Sequence, residues 1–562
     1  VVSEFKIYPR DDFSFFISFK YERDVIETLK KTPGCSWSKA SHAWIGRYIF
    51  WEITLRALKE HGEITKNEAI PGLDAFTAIC EDLEKLKLID PNSFESYTIV
   101  DETTGRLPLG DHQKLGSAFL VVGERVLLAD AVGLQKTTTA LNACLILEKV
   151  KGVKKVIYFT LASLRWQVRD EIIRFTGKKV DVIDGDKAQR EATYEKWKRN
   201  ESMFLVVHYE SLVNDAVKLT HLKPDIIIAD EVSRVKNFRA KSSKALTRMK
   251  THWFWALGAT PLENDFDEIF AIMRVINPEL LGTFGGFKAY FAKVNFWGRI
   301  EKWYPEKIKE FIRSISPFIL RRTNEDIGRV LPGAEIIHHW LDMTEEQKTI
   351  YKSLKHDAKK KLEEEKSFQS VIGSLTKIRE VCDFPDLVNP GASITSPKME
   401  RVIEILKKTP GEKTVIFTQW ERAAFRIRDR LIEEGFDVTF VSGEIKGQDR
   451  QDVVEVFLDG SKEVLVTTDC LAFGMNLQKA NNMIIFDLLF NPAKMKQRVG
   501  RIKRPGQELQ MKIHNLICKD TVEQSMVEIL TKKQGLLDLL FDPDSERVKL
   551  TTDDLKRVLV GD

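Results

Sequence analysis

Cysteine is scarce in this chain and carries no pattern. The 562 residues hold six cysteines, at 35, 80, 144, 382, 470 and 518, and no two of them stand as C-x-x-C. That spacing excludes the common zinc and dithiol motifs, and the expectation is a reduced, intracellular, soluble protein. Long apolar runs are missing too. No stretch reaches the roughly 18 residues of a membrane-spanning helix, so no membrane partner is expected. A charge excess is missing: 87 basic against 83 acidic residues leave +4. That balance does not announce a nucleic-acid binder, although a basic groove fits inside it. The first residues, VVSEFKIYPR, show neither a signal peptide nor an initiator methionine, which reads as a trimmed chain or a fragment. What remains is a globular composition, 43% hydrophobic and 30% charged, long enough for about three to five domains.

The stretch LLADAVGLQKTTTAL (127–141) organises the rest. An apolar run closes at Ala129, a turn containing Gly133 follows, then Lys136, Thr137 and a helical pattern. A strand, a tight loop and a helix N-terminus make a phosphate cradle. Loop N–H groups and the positive helix end face the anion, Lys136 reaches the β/γ-phosphates of ATP, and the Thr137 hydroxyl holds Mg²⁺. The pattern G-x-x-x-x-G-K-[ST] wants glycine where Asp130 and Gln135 stand. A side chain at 135 costs about 1 kcal/mol if φ must be positive, and it crowds the β-phosphate. The expectation is a weakened but real ATP site. A Lys-Thr pair at an ordinary helix start would read the same, so the rest of the chain has to decide.

Residues 1–65 alternate short β-like runs with one helical stretch. FSFFISF (13–19) reads as a strand and YERDVIETLKKTPG (21–34) as a helix stopped by Pro33 and Gly34. CSWSKASHAWI (35–45) sets Trp37 and Trp44 around a polar turn, as a hairpin would. A small α+β module with a tryptophan core is one reading and a nucleic-acid-binding module the other. The order helix, TPG, Trp, polar turn, Trp resembles the HARP module found beside certain annealing helicases. Residues 66–105 read as a helical linker. DHQ (111–113) then precedes the loop, and the Gln113 amide offers one donor and one acceptor to an adenine edge.

Beyond the loop the pattern is β–α–β. VIYF (156–159), VDVI (180–183) and FLVVHY (204–209) read as strands, and DIIIADE (225–231) as a buried strand ending in two carboxylates. Acids at the carboxyl end of a parallel strand stand beside the ligand crevice of an α/β sheet. Asp230 can hold the Mg²⁺ shell, and Glu231 can orient and deprotonate the attacking water. WFWALGATPLEN (253–264) adds a strand and a turn in which Thr260 could relay between nucleotide and DNA. Residues 265–395 turn helical, with HDAKKKLEEEK (356–366) as a solvated, internally paired face. From 398 the alternation resumes without a second phosphate loop. This part carries QRVGRIKRPGQ (497–507), whose Arg498, Arg501 and Arg504 recur every third residue and call for anions.

Taken in order, DHQ, LADAVGLQKT, TLASLRWQ, HYESL, ADEVSRVKN, LGATPLEN, FILRRT, VIFTQW, TTDCLAFGMNL, FNPA and QRVGRIKRPGQ resemble the motif series of the Swi/Snf-type branch of superfamily 2 helicase-like ATPases, over about residues 106–535. The resemblance implies an α/β fold of two RecA-like parallel-sheet lobes with helical insertions beside the small N-terminal module. Its boundaries would be 1–65 module, 66–105 linker, 106–275 ATP-binding lobe, 276–395 protrusion and inter-lobe segment, 396–540 second lobe and 541–562 tail. It also implies roles. Gln113 reads adenine; Gly133, Lys136 and Thr137 bind phosphates; Thr137 and Asp230 hold Mg²⁺; Glu231 activates water. Gly474 and Asn476 couple nucleotide to DNA, and Arg501 and Arg504 are arginine fingers supported by Gln497. The chain departs from the family at Ala131, Gln135, Leu161, Val232 and Ser233. Only Gln135 touches the phosphate cradle itself.

The expected function is therefore a DNA-stimulated ATPase, acting as a monomer, that translocates on duplex or forked DNA and remodels or anneals it. A strand-separating helicase is the alternative within the superfamily. A DNA-binding protein whose nucleotide site no longer turns over is the alternative outside it, and Gln135 is its support.

Overall fold

The computed structural model describes residues 3–66, 70–88, 109–237, 240–259, 266–296, 300–328, 333–363, 368–443, 448–460, 462–469, 477–489, 495, 498–503, 507 and 509–527. They fall into two compact units, one running to Ile327 and the other starting at Gly328. Among the described residues no helix is long and apolar enough to cross a membrane.

The first unit opens with a mixed sheet of β1 (Ser3–Asp11), β2 (Ser14–Ser18), β3 (Ser36–Ser38), β4 (Ala43–Arg47) and β5 (Gly62–Lys66), in the order β3-β4-β2-β1-β5. Helices Arg23–Lys31 and Trp51–Lys59 cover it. The sequence-expected hairpin is β3–β4, and Trp37 faces Trp44 directly across it. One ring goes in and one stays out: Trp44 is 7% exposed and Trp37 49%. Gly34 (φ +75°) closes the first helix. A Cβ on Gly282 would stand 2.8 Å from the Gly34 Cα, so both glycines are needed where the module meets the helices behind it. Phe50 and Phe291, 5.9 Å apart, continue that contact. Helix Pro71–Leu88, in the stretch expected to be a linker, sets Phe76 against Phe318 with ring centroids 5.9 Å apart.

The chain then builds a parallel sheet from β6 (Arg125–Leu128), β7 (Val156–Thr160), β8 (Val180–Val182), β9 (Phe204–His208), β10 (Ile226–Asp230) and β11 (Trp253–Leu257). An antiparallel pair, β12 (Ala292–Val294) and β13 (Ile300–Trp303), follows among helices. β14 (Ile319–Leu320) returns to the sheet edge, giving the order β14-β6-β11-β10-β7-β9-β8. Strands buried on both faces read as unbroken apolar runs, and β7, β9 and β10 do. Helix Lys136–Lys151 leaves the loop after β6 and ends at Gly152 in the left-handed conformation. Gly116 lets helix Asp111–Gly123 approach it: a Cβ there would stand 2.7 Å from Thr139 Cγ2 and 2.8 Å from Arg322 Nη2.

The second unit holds β15 (Ala334–Leu341), β16 (Thr414–Phe417), β17 (Val438–Val441), β18 (Val464–Thr467), β19 (Asn482–Ile485) and β20 (Met511–Cys518), all parallel, in the order β15-β20-β19-β16-β18-β17. Apolar layers cover both faces. Helix Phe368–Asp383 is tied to this sheet by a buried triad. Lys398 Nζ lies 2.8 Å from Asp383, 2.6 Å from Glu523 and 2.9 Å from the Phe486 carbonyl. Buried charge is costly unless each group finds partners, and this ammonium has three.

Candidate nucleotide site

β6 stops at Leu128 and the chain turns over the top of the sheet. The turn takes Gly133 at φ +90° and Gln135 at φ +54°, ψ +50° before the helix begins at Lys136. Position 135 thus takes the positive φ at which a side chain is costly. Lys136 Nζ curls back and donates to the Asp130 carbonyl at 2.8 Å and the Ala131 carbonyl at 3.2 Å. The ammonium thus sits at the mouth of the loop, beside the first N–H groups of the helix, which need an anion or another acceptor.

Asp130, where the phosphate-loop pattern wants glycine, points away from the mouth. It is fully buried and paired with Arg322, Oδ1 to Nε at 3.1 Å and Oδ2 to Nη2 at 2.5 Å. Arg322 also donates to the His112 carbonyl at 2.5 Å. Backbone bonds finish the clamp, from Ala129 N–H to the Leu320 carbonyl (2.7 Å) and from Ala131 N–H to the Arg322 carbonyl (2.8 Å). A segment 192 residues downstream therefore fixes the loop. Nothing local in FILRRT (318–323) marks Arg322 for this role; its partner lies in the distant loop.

Gln113 is 3% exposed. Its Oε1 accepts the Gly110 N–H at 2.9 Å, and its Nε2 donates to Gln135 Oε1 at 3.2 Å. An amide carries two N–H bonds and two lone pairs, so one of each remains for a ligand. The expected base-reading residue and the unexpected loop residue are thus joined.

Asp230 ends β10, beside β7. Its Oδ1 accepts the Glu231 N–H at 3.0 Å and its Oδ2 the Tyr158 hydroxyl at 3.0 Å. The same hydroxyl lies 3.4 Å from Thr137 Oγ1. Burial raises the Asp230 pKa, opposed by the Tyr158 hydrogen bond, the Lys136 charge and the Glu231 N–H. Burial and the Asp230 charge push the Tyr158 phenol well up, so it stays a donor. Tyr209 adds a 2.6 Å hydrogen bond to the Asp230 carbonyl. Glu231 holds φ +52°, an uncommon conformation for a non-glycine residue and one that clusters at functional sites. A hydroxyl and a carboxylate bridged in this way are hard oxygen donors. They fit Mg²⁺, which takes one or two protein oxygens and fills its shell with water and phosphate.

In the second unit Arg498 finds its anions at home. It is fully buried, with Nε and Nη2 both 2.7 Å from Asp469 Oδ1 and Nη1 3.3 Å from the Asp487 carbonyl. The three-arginine face expected from the sequence therefore loses its first member to a structural pair. Arg501 is 5% exposed, and its carbonyl accepts the Leu477 N–H at 2.9 Å. Gly474, Asn476, Gln497 and Arg504 lie outside the described residues, as does Thr260.

Two family models match this chain in order: the SNF2-related domain over residues 112–387 and the helicase conserved C-terminal domain over residues 397–506. Among curated relatives, an uncharacterized ATP-dependent helicase of Mycoplasma genitalium is 26% identical over 427 residues, covering 73% of this chain and 40% of its own length. A DNA repair and recombination protein RAD54-like of Drosophila mojavensis is 24% identical over 537 residues, covering 83% and 68%. The Sulfolobus solfataricus SWI2/SNF2 ATPase core in complex with dsDNA is 27% identical at a TM-score of 0.40, covering 82% of this chain and 99% of its own. The chain spans 38%, 40% and 35% of the length of three of the relatives it matches. With both models matched over the stretches that carry the phosphate loop and the arginine motif, the chain belongs to the Swi/Snf-type family of helicase-like ATPases.

Proposed function

We propose that this chain is a DNA-stimulated ATPase that converts ATP hydrolysis into movement along duplex DNA, remodelling or annealing it. The observation that carries the reading is the junction at the sheet top, where Lys136, Thr137 and Asp230 meet around one loop and one helix end. Lys136 exchanges the Asp130 and Ala131 carbonyls for the β/γ-phosphates, and the helix N–H groups take the remaining phosphate oxygens. Gly133 lets the loop backbone come close. Thr137 and Asp230 hold Mg²⁺, which when bound neutralises charge on the phosphates. Glu231 aligns a water in line with the γ-phosphorus and takes its proton, so that ATP and water give ADP and phosphate. Gln113 turns its amide from Gln135 to the adenine edge and offers it one donor and one acceptor. Arg501 and Arg504, with Gln497, supply positive charge to the transferring phosphoryl group, and Gly474 and Asn476 link nucleotide state to DNA; these roles rest on the sequence motifs.

The N-terminal module belongs to the same proposal, as a contact for forked or single-stranded DNA. Its β2–β4 face opens into a cavity of about 750 Å³ lined by Phe19, Tyr21, Trp37 and Trp44 among others. Tyr21 is 82% exposed. Exposed rings of this kind stack on bases.

One observation favours a second reading. Gln135 occupies the cradle in a left-handed conformation and is tied to Gln113, which suits a DNA-binding protein that holds nucleotide without turnover. ATP hydrolysis measured without DNA and with duplex, forked and single-stranded DNA tests both. A rate that rises with duplex supports the translocase; equal rates throughout overturn it, and no hydrolysis alongside nucleotide-sensitive DNA binding favours the second reading.

A further inference from the structure

We propose that Tyr158 is a positioning residue of the metal site: its hydroxyl holds the Asp230 carboxylate toward Thr137, so that divalent cation and nucleotide bind as one unit. The proposal rests on the reading that Thr137 and Asp230 hold the metal.

The argument begins in the strand. VIYF looks like four apolar core positions, and a phenylalanine would fill the third as well. Tyr158 stands opposite Ile228 in the β7–β10 register, two residues below Asp230. Its ring is fully buried. A buried phenol is costly unless its hydroxyl finds a partner. Here that partner is a carboxylate oxygen, Asp230 Oδ2 at 3.0 Å, and the next oxygen, Thr137 Oγ1, is 3.4 Å away. The Asp230 carboxylate is thus gripped at both oxygens, by the Glu231 N–H on one side and Tyr158 on the other. A carboxylate held by one donor can swing about its last bond; held by two, it cannot. The hydroxyl also lies between two elements, the end of β10 and the first turn of helix Lys136–Lys151.

The test uses the full chain and a fluorescent non-hydrolysable ATP analogue, titrated in EDTA and across a range of Mg²⁺ concentrations. Tyr158→Phe removes one oxygen. The expected result is a Mg²⁺ midpoint raised about tenfold, the loss of one charge-assisted hydrogen bond, with affinity in EDTA unchanged within about twofold. Asp230→Asn should raise the midpoint further. Adding Tyr158→Phe to Asp230→Asn should change nothing more, because the tyrosine acts through the carboxylate. An unchanged midpoint in Tyr158→Phe, or fully additive effects in the double variant, overturns the proposal. So does an equal loss of affinity with and without Mg²⁺, which would make Tyr158 a packing residue only. If Asp230→Asn and Thr137→Ala themselves leave the midpoint unmoved, the metal reading fails first, and Tyr158 falls with it.

Discussion

Replacing Gln135 with glycine separates what this side chain costs in folding from what it costs in binding. The residue already stands at φ +54°, so the penalty of about 1 kcal/mol for a side chain in the left-handed region is met when the chain folds. It is not met again when nucleotide arrives. Glycine relieves that strain but makes the unfolded chain freer by a similar amount. Stability should therefore move little. Binding is different. The Gln113–Gln135 hydrogen bond at 3.2 Å must break if Gln113 turns its amide to the base. A neutral bond of this kind contributes about 0.5–1.5 kcal/mol, which converts to roughly twofold to tenfold in affinity. Gln135→Gly should tighten ATP by that factor and raise the DNA-stimulated rate at subsaturating ATP, with the thermal midpoint nearly unchanged. The measurements are the nucleotide Kd, and kcat and KM at saturating DNA. If the glycine form binds and turns over no better, the Gln135 amide contributes to phosphate binding what the pairing withholds, and the reasoning fails.

Duplex-stimulated ATPase activity should fall steeply between low and moderate salt, because phosphate contacts release counterions; a flat salt profile would remove the DNA-backbone contact. Glu231→Gln should leave nucleotide binding intact and stop hydrolysis, and Arg504→Ala should suppress turnover by orders of magnitude; wild-type rates in single-turnover assays would cancel either role. Trp37→Ala should weaken binding to forked and single-stranded DNA, by about 1–3 kcal/mol if the ring stacks on a base, and leave blunt-duplex stimulation unchanged. Equal loss on all three DNAs by fluorescence anisotropy would make the module a generic support. Arg322→Ala should destabilise the first unit by about 3–5 kcal/mol, since it strands the buried Asp130 carboxylate; a chemical denaturation midpoint equal to wild type would show that the pair is not doing this.

The chemistry-bearing groups were legible wherever a short stretch carried them. Lys136 and Thr137 follow an apolar run and open a helix, Asp230 and Glu231 follow the apolar run of β10, and the Trp37–Trp44 hairpin was readable because a polar turn separates two short runs. What could not be read is long-range. β14 is two residues long and offers no period to detect, yet it places Arg322 against Asp130. Tyr158 sits inside an apolar run and looks like core until β10 is laid beside it. Arg498 was grouped with Arg501 by spacing, but spacing does not say which side of a turn faces Asp469. In each case the deciding partner is a carboxylate or a strand far away in sequence.

The same partners sort the nucleotide-site groups by what binding asks of them. Lys136 and Gln113 already hold hydrogen bonds within the loop and must give some up, so their contacts with nucleotide are exchanges and their net contribution is the difference between two similar bonds. Asp130 and Arg322 give up nothing, because their pair lies beneath the loop and persists when a phosphate lies above it. Thr137 and Asp230 keep Tyr158 while offering their other lone pairs outward. Affinity should then depend mostly on the second and third sets, which arrive in place, and nucleotide selectivity mostly on the first. Variants at Asp130, Arg322 and Tyr158 should shift the binding of ATP and GTP together, whereas variants at Gln113 and Gln135 should change their ratio. Competition of ATP and GTP for the same fluorescent nucleotide measures both. A change in the ATP-to-GTP ratio on Arg322→Lys would refute the division, because that substitution keeps the charge beneath the loop and alters only its grip.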